Sequence, residues 1–239
     1  MTSANQIKTT LHTFASKEKA ILLQRFFKTA PGEYGAGDKF LGVMVPNIRQ
    51  VVKMYWQTAG LRETEKLLHS PYHEERLTAL LILVKKFEQG AETERKKIFT
   101  LYLKNIKKYI NNWDLVDLTA PRIVGSYLAD KDKSILIKLA HSKNLWERRV
   151  AILATFYNIY QKDPAIALQI AEILVHDTHD LIHKAVGWML REVGKRCSFE
   201  AEEGFLKHYA GTMPRTMLRY AIERFPEKRR IFWLNYRSC

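Results

Sequence analysis

Apolar residues recur three or four positions apart along most of the chain, which is the spacing of one face of an α-helix. From Gln6 to Phe27 the pattern has a polar break at Ser16 and Lys17, and it predicts one or two helices. Pro46 opens a further predicted helix, because proline is favoured in the first helical turn. No β-rich run interrupts the pattern. The sequence therefore predicts an all-α fold.

The segment Pro31–Asp38 is the clearest break in the helical pattern. It contains three glycines besides the proline, a composition that predicts a loop. A glycine-rich loop can cradle phosphate, and it can also be a plain surface turn between helices. This one follows a helix rather than a strand and lacks the Gly-Lys-Ser/Thr ending of a P-loop, which favours the turn.

Beyond Gly60 a longer period appears. His69 and His141 lie 72 residues apart, which is twice 36, and each precedes a basic and apolar run. His176 continues the series 35 residues later, and another step of 35 reaches Gly211. Periods in this range are typical of stacked helix pairs, so we expect an α-solenoid of HEAT-like or armadillo-like repeats whose second helices form a concave surface.

No stretch rich in proline, glycine or serine divides the chain. We therefore expect a single domain over residues 1–239, large enough to bury a core. Irregular helices and a loop are predicted up to about residue 60, and regular repeats from about residue 61 to about residue 225.

Four unlike residues fall on one geometric position of this repeat. They are Trp113 and Asp117, which follow Asn105 by eight and twelve residues, Arg149, which lies eight after His141, and Trp188, which lies twelve after His176. If each unit is a helix pair, all four lie on corresponding turns of successive second helices. Two indoles, one carboxylate and one guanidinium are then predicted to line one wall.

The composition indicates what such a wall would meet. Lys and Arg number 39 against 25 Asp and Glu, which gives a net charge of +14 and a pI near 9.7. This balance favours an anionic partner such as nucleic acid, although a basic protein without that purpose remains an alternative. A cation also returns three times at one repeat position, as Arg149, Lys184 and Arg219, with Arg148 and Arg191 nearby. Regular cations fit a regularly charged phosphate backbone, and the alternative is a solvated helix face.

The residues of the predicted wall also have structural explanations. Tryptophans at helical spacing, such as Trp113 and Trp188, often belong to a core. Because related repeats carry Leu, Arg or Lys at the same position, that position is not expected to be uniformly buried. For Asp117 the alternative to a chemical role is a salt bridge to Arg149 or Arg122.

The start of the helix that carries Asp117 has clear local signals. Asn112 is a good N-cap, and Asp114 lies in the first turn, where the helix dipole favours a carboxylate. Pro121 lacks an N–H group, so the carbonyl of Asp117 loses its usual partner and a break is expected there.

The spacing of the histidines and cysteines gives little indication of a metal site or of redox chemistry. His176, His179 and His183 share one face if that segment is helical, but no second ligand cluster completes a zinc site, and a loop before a repeat helix is the alternative. Cys197 and Cys239 give neither a disulfide framework nor metal-ligand spacing, as is typical of a reducing compartment. We expect no metal and no other cofactor.

The sequence also bears on where the protein is expected to be found. The first ten residues are polar, and no run of about 18 apolar residues long enough to span a bilayer follows. We expect a soluble, cytoplasmic protein.

Three strings occur in a specific order: WDLVD from Trp113, WERRVAIL from Trp146 and KAVGWMLRE from Lys184. Together with FLG from Phe40, ahead of Pro46, they resemble the DNA alkylation repair family of AlkD-type alkylpurine DNA glycosylases. The likeness runs over most of the chain. It departs from the family pattern at Phe26, at Met44 and in a longer Pro31–Asp38 loop, which bear on the preferred lesion.

The resemblance implies a HEAT-like superhelix that cups duplex DNA on a concave, basic face. It implies that Asp117 is the catalytic carboxylate, that Trp113 and Trp188 flank the damaged nucleotide, and that Arg149 holds the backbone. The family excises positively charged bases such as N3-methyladenine and N7-methylguanine, without the base flipping of most glycosylases.

We therefore predict a monomeric DNA glycosylase for base excision repair that acts on double-stranded DNA and associates with the nucleoid when bound. The predicted DNA contacts are Arg149, Arg148, Lys184, Arg191, Arg219, Arg49 and Tyr34. The alternative is a non-catalytic HEAT-repeat protein that binds nucleic-acid structure. A protein-binding scaffold is disfavoured by the recurring cation.

Overall fold

The structure, a computed structural model, describes residues 2–236. These residues are helical and contain no strand, apart from isolated bridges between Thr2 and Ala59 and between Lys39 and Tyr72. The prediction of an all-α fold is confirmed. The α-helices are α1 (Ala4–His12), α2 (Lys17–Phe26), α3 (Val45–Tyr55), α4 (Leu61–Leu68), α5 (His73–Gln89), α6 (Glu92–Tyr109), α7 (Trp113–Asp117), α8 (Ser134–Ala140), α9 (Leu145–Ala154), α10 (Phe156–Tyr160), α11 (Ala165–Leu174), α12 (Asp180–Arg196), α13 (Phe199–Tyr209), α14 (Arg215–Ala221) and α15 (Glu227–Asn235).

The predicted repeat is visible in where the second helices begin. Helices α5, α9, α12 and α14 begin at His73, Leu145, Asp180 and Arg215, which are steps of 72, 35 and 35 residues. The first three pack on the helix before them, in the pairs α4 with α5, α8 with α9 and α11 with α12, whereas α14 packs on α12, as does α13. The predicted arrangement of helical repeats is confirmed.

One helix pair departs from this register. A start 36 residues after His73 would fall at Tyr109, but α6 continues through Tyr109 and α7 begins at Trp113. The second helix of this pair is therefore short and begins one turn late. As a result Trp113 is the first residue of its helix, whereas Arg149 and Lys184 lie four residues inside theirs.

The chain divides into two compact units, Met1–Thr119 and Ala120–Cys239. In the first unit, α5 packs on α3, α4, α6 and α7. All residues of α5 from His73 to Val84 are buried, charged ones included. A helix that is buried on every face occupies the centre of its unit.

In the second unit α12 has the central place. It packs on α9, α10, α11, α13 and α14. Gly187 allows α14 to approach closely, because a Cβ there would collide with the carbonyl oxygen of Met217 in α14. Trp188 follows this glycine, so the tight packing of α12 on α14 also fixes its backbone.

The segment before α3 has the helix break and the loop that the sequence predicts. Ser16 is the N-cap of α2, and its hydroxyl accepts a hydrogen bond from the Lys19 N–H. The Pro31–Asp38 segment is a chain of turns, with Gly32 and Gly37 at φ of 84° and 85°, where glycine is strongly favoured. Pro46 lies in the first turn of α3. Among the described helices none is long and apolar enough to cross a membrane.

Candidate active site

Helix α7 presents two of the predicted site residues. The Asn112 side chain caps it by accepting a hydrogen bond of 2.8 Å from the Trp113 N–H, as the sequence predicted. Asp117 is the last residue of the helix and is half-buried. A π-helical segment, Pro121–Gly125, follows it, which agrees with the break expected at Pro121.

The indole of Trp113 lies against two phenylalanines. It stacks on Phe27 with the ring centroids 5.2 Å apart and an interplanar angle of 18°, and Phe26 meets it edge-on at 5.9 Å. Phe27 is buried, whereas Phe26 is 64% exposed. Trp113 itself is partly exposed. Its ring is thus supported from one side by the core while part of it remains accessible to solvent.

The five tryptophans differ in their access to solvent. Trp146 and Trp233 are core residues with exposed fractions of 6% and 1%. Trp56, Trp113 and Trp188 are partly exposed. Trp188 contacts Phe156 at a centroid distance of 5.7 Å and an angle of 51°. Neither indole of the predicted site is sealed in the interior.

Asp117 lies near a buried phenol. Tyr102 is fully buried, and its hydroxyl is 2.9 Å from the hydroxyl oxygen of Thr119. Burial, assisted by the negative charge of Asp117, raises the pKa of Tyr102 above its ordinary value. Tyr102 is therefore an uncharged, buried neighbour of the Asp117 carboxylate at physiological pH.

A buried ionic cluster lies directly behind α7. His73 Nε2 is 2.8 Å from Asp114 Oδ2, and its Nδ1 is 3.1 Å from Asp38 Oδ2. Asp38 also accepts hydrogen bonds from Arg76 at 2.5 Å and from Asn112 at 3.0 Å. The cluster thus joins the end of the glycine-rich loop, the start of α5 and the start of α7.

Ionisation in this cluster follows from its geometry. Burial disfavours the charged imidazole, but the Asp114 carboxylate and the hydrogen bond to Asp38 outweigh it and raise the pKa of His73 to about 9. Burial also opposes ionisation of Asp38, yet hydrogen bonding to His73 and the charge of Arg76 lower the pKa of that carboxyl below its usual value. At neutral pH the cluster therefore holds an imidazolium between carboxylates.

Sequence reasoning missed this cluster. Asp38 had been placed only as the end of a loop, and His73 had no assigned role. Asp114 lies in the first turn of α7 as predicted, and its Oδ2 also contacts His73 Nε2, which was not predicted. The spacings of 41 and 74 residues follow no helical or repeat period, and although Asp38 and His73 are 35 residues apart, Asp38 lies in a loop rather than in a repeat helix. No pattern in one sequence would have joined them.

The residues predicted to contact DNA differ in their burial and in the groups they bind. Arg149 is 5% exposed, and its guanidinium donates a hydrogen bond to the Leu181 carbonyl oxygen at the start of α12. Arg148 forms an ion pair of 2.6 Å with Asp177, and Lys184 one of 2.7 Å with Asp180.

The remaining predicted contacts differ in their exposure. Arg191 pairs with Glu223. Arg49 in α3 and Arg219 in α14 are exposed, and Tyr34 is half-buried in the glycine-rich loop. Which of these cations and aromatic groups binds DNA stays a prediction.

The histidine and cysteine residues have structural contacts. His179 is the N-cap of α12 and accepts a hydrogen bond from the Leu181 N–H, while His183 Nε2 lies 2.5 Å from the Asp177 carbonyl oxygen. Within residues 2–236 no group of three or more His, Cys, Asp or Glu is arranged to hold a metal ion. Cys197 is a free thiol, and Cys239 lies outside the described residues.

The chain is similar to known proteins over most of its length. The family model described as DNA alkylation repair enzyme matches residues 7–225. A solved structure described as a predicted DNA alkylation repair enzyme from Enterococcus faecalis is similar at 17% identity and a TM-score of 0.70, over 89% of this chain and 97% of that one. The structure of smu.31 from Streptococcus mutans UA159 is similar at 17% identity and a TM-score of 0.51, over 94% of this chain and 99% of that one. No curated protein matches the sequence.

Proposed function

This chain belongs to the DNA alkylation repair enzyme family, and from that premise we propose that it is a DNA glycosylase for positively charged alkylated purines. Its substrates would be N3-methyladenine and N7-methylguanine in duplex DNA, and its reaction would be hydrolysis of the N-glycosidic bond. The observation that carries the proposal is the short helix α7, which places a half-buried carboxylate, Asp117, one turn from a partly exposed indole, Trp113.

The chemistry needs one carboxylate and no general acid. Alkylation at N3 or N7 gives the purine a positive charge, so the base leaves with the electron pair of the glycosidic bond and becomes neutral. Water adds to the sugar carbon and loses a proton. As the bond lengthens, the sugar gains oxocarbenium character, which the negative charge of Asp117 stabilises while its oxygen orients the water.

The tryptophans provide a second kind of recognition. An indole face attracts a cation by about 0.5–2 kcal/mol, and more strongly as the site loses water. Trp113 is supported for this role by its stack on Phe27, which limits rotation of the indole. Trp188 is proposed as the second flanking residue, and its ring meets Phe156 at a tilted angle of 51° rather than in a stack. A positively charged purine is therefore preferred to a neutral one.

The proposal is tested by incubating the full chain with methylated duplex DNA and measuring free bases by mass spectrometry. Release of N3-methyladenine or N7-methylguanine is expected, without any added metal. A non-catalytic DNA-binding protein would retain the same DNA and release no base. Retention without release would therefore overturn the glycosylase proposal in favour of that alternative.

The basic residues are proposed to contact the phosphate backbone, and Arg219 offers the cleanest test. Because Arg219 is exposed in α14, Arg219→Gln removes a charge without removing a buried contact. Each phosphate contact contributes about 0.9 to the slope of log K against log salt concentration for duplex DNA. We expect Arg219→Gln to reduce that slope by about 0.9 in binding titrations.

Arg224→Gln is the matched control, since Arg224 is also exposed but lies outside the recurring repeat position. It is expected to leave the slope within error of wild type. Equal slopes for the two variants would remove Arg219 from the DNA interface. Arg149 is less suitable, because its buried guanidinium also supports the start of α12.

A further inference from the structure

The cluster behind α7 contains an unusual arrangement around one imidazole. Asp114 faces Nε2 of His73 and Asp38 faces Nδ1, so that a carboxylate lies at each ring nitrogen. A neutral imidazole has one N–H and one lone pair, and the lone pair would point at a carboxylate. While both carboxyls are ionised, only the imidazolium can donate to them through both nitrogens, so this geometry favours the protonated ring.

The three partners belong to three different parts of the first unit. His73 is the first residue of α5, the central helix, and Asp114 is the second residue of α7. Asp38 ends the glycine-rich loop. One ring therefore connects the loop and α7 to the most deeply buried helix of the unit.

The same ring also supports the indole through an aromatic stack. Phe40 lies on His73 with centroids 4.6 Å apart at 19°, and Phe27 contacts it at 4.8 Å. Phe27 in turn stacks on Trp113. His73 is thus connected to Trp113 in two ways, through its hydrogen bond to the side-chain carboxylate of Asp114 in α7 and through the Phe27 ring.

From this geometry we infer that His73, as an imidazolium held between Asp38 and Asp114, is a positioning residue that fixes the orientation of α7, and with it Trp113 and Asp117, for base excision. The inference rests on the proposed function for its readout in catalysis. The orientation of Trp113 does not depend on the proposed function, and it can be measured separately.

The effect of His73 on the orientation of α7 depends on pH, and the direction of this dependence follows from the charges around the ring. The charged groups that face His73 are Asp114 on α7, Asp38 on the loop and Arg76 on α5. The pKa of His73 is raised from 6.5 to about 9, so its contribution is complete below about pH 6.5 and is lost as the pH rises through about 9. Loss of the proton leaves a lone pair against a carboxylate and releases α7.

The experiment compares His73→Gln, Asp114→Asn and the control Glu75→Gln in the full chain. Glu75 is a buried carboxylate on the same helix that pairs with Lys8 and His12 of α1, so its replacement perturbs the unit without touching α7. Single-turnover release of N7-methylguanine and Kd for DNA are measured from about pH 7 to about pH 10.

A displacement of about 1 Å at a reacting group costs about 100-fold in rate. We therefore expect His73→Gln to lower the single-turnover rate at neutral pH by about 100-fold with little change in Kd. The wild-type rate should fall above about pH 9, and this fall should be absent in His73→Gln. Asp114→Asn keeps an acceptor for His73 but removes its charge, so the fall should move to lower pH. Glu75→Gln should keep the wild-type profile.

A spectroscopic readout separates this inference from the glycosylase proposal. The fluorescence of Trp113, taken as the difference between the chain and its Trp113→Phe variant, should change near pH 9 in wild type and not in His73→Gln. If no base is released but this transition occurs, positioning of Trp113 holds and the glycosylase proposal fails. If His73→Gln had the same rate, the same pH profile and the same Trp113 fluorescence as wild type, the inference would be overturned. If that variant does not fold, an unmoved profile in Asp114→Asn overturns it as well.

Discussion

Replacing Asp117 by asparagine is expected to lower the single-turnover rate of N7-methylguanine release by about 10³-fold. The affinity for the methylated duplex is expected to stay within about threefold of wild type, because the carboxylate acts on charge that develops only in the transition state. Rapid-quench release of the free base and a separate binding titration measure the two quantities.

The size of this effect follows from electrostatics. Asparagine has nearly the shape of aspartate and retains an oxygen that accepts a hydrogen bond from water. It lacks the negative charge, which at about 4 Å from the oxocarbenium ion and an effective dielectric constant of about 20 contributes about 4 kcal/mol. A change of about 4 kcal/mol in the barrier is about 10³-fold in rate.

Asp130→Asn is the matched control for this variant. Asp130 is exposed and pairs with Lys131, so its replacement makes the same chemical change at a surface carboxylate. It should leave both release and binding unchanged. If Asp117→Asn released base at the wild-type rate, Asp117 would have no chemical role, and the partly exposed indoles would be binding residues alone.

The parts of the fold that the sequence predicted are those with a period or a local rule. The second helices begin at steps of 72, 35 and 35 residues because each repeat buries its apolar face in the same manner. Asn112 caps α7, and a π-helical segment begins at Pro121. Both follow from local chemistry, a side-chain acceptor in one case and a missing N–H in the other.

The parts that the sequence did not predict depend on contacts between distant residues. The repeat register gave Arg149 and Trp113 equivalent positions, yet α7 begins one turn late, so Trp113 stacks on Phe27 while Arg149 is buried against Leu181. Both environments come from packing partners that lie outside the periodic pattern. A repeat fixes where a residue lies along its helix, and its neighbours then decide what it contacts.

Glu74 offers the second large effect, this time on stability. Its buried carboxylate accepts three backbone hydrogen bonds, from the N–H groups of Leu41 at 2.9 Å, Gly42 at 2.8 Å and Val43 at 3.1 Å. These residues cannot rearrange easily, because Gly42 has a φ of 80° and packs against the Ser16 carbonyl oxygen. One side chain therefore fixes the turn that leads from the glycine-rich loop into α3.

Glu74→Ala is expected to lower the free energy of unfolding by about 5 kcal/mol, since each hydrogen bond to a charged group contributes about 1.5–3 kcal/mol and three N–H groups are left unpaired. That is a large part of the roughly 5–15 kcal/mol that stabilises a typical domain. Glu74→Gln should cost about 2 kcal/mol, because its amide nitrogen faces a backbone N–H on one side and its oxygen accepts on the other. Urea unfolding followed by circular dichroism measures both changes.

Glu63→Gln provides the comparison that isolates burial. Glu63 accepts one backbone hydrogen bond, from the Ala4 N–H at 2.9 Å, and it pairs with the exposed Lys66. Its replacement is expected to leave the urea midpoint of unfolding close to that of wild type, because surface ion pairs contribute little. Should Glu74→Gln unfold at the same urea concentration as Glu63→Gln, the carboxylate would contribute no more than a surface acid does. The turn at Gly42 would then be held by its other contacts, such as the hydrogen bond of 2.9 Å that the Ser16 N–H donates to the Leu41 carbonyl oxygen.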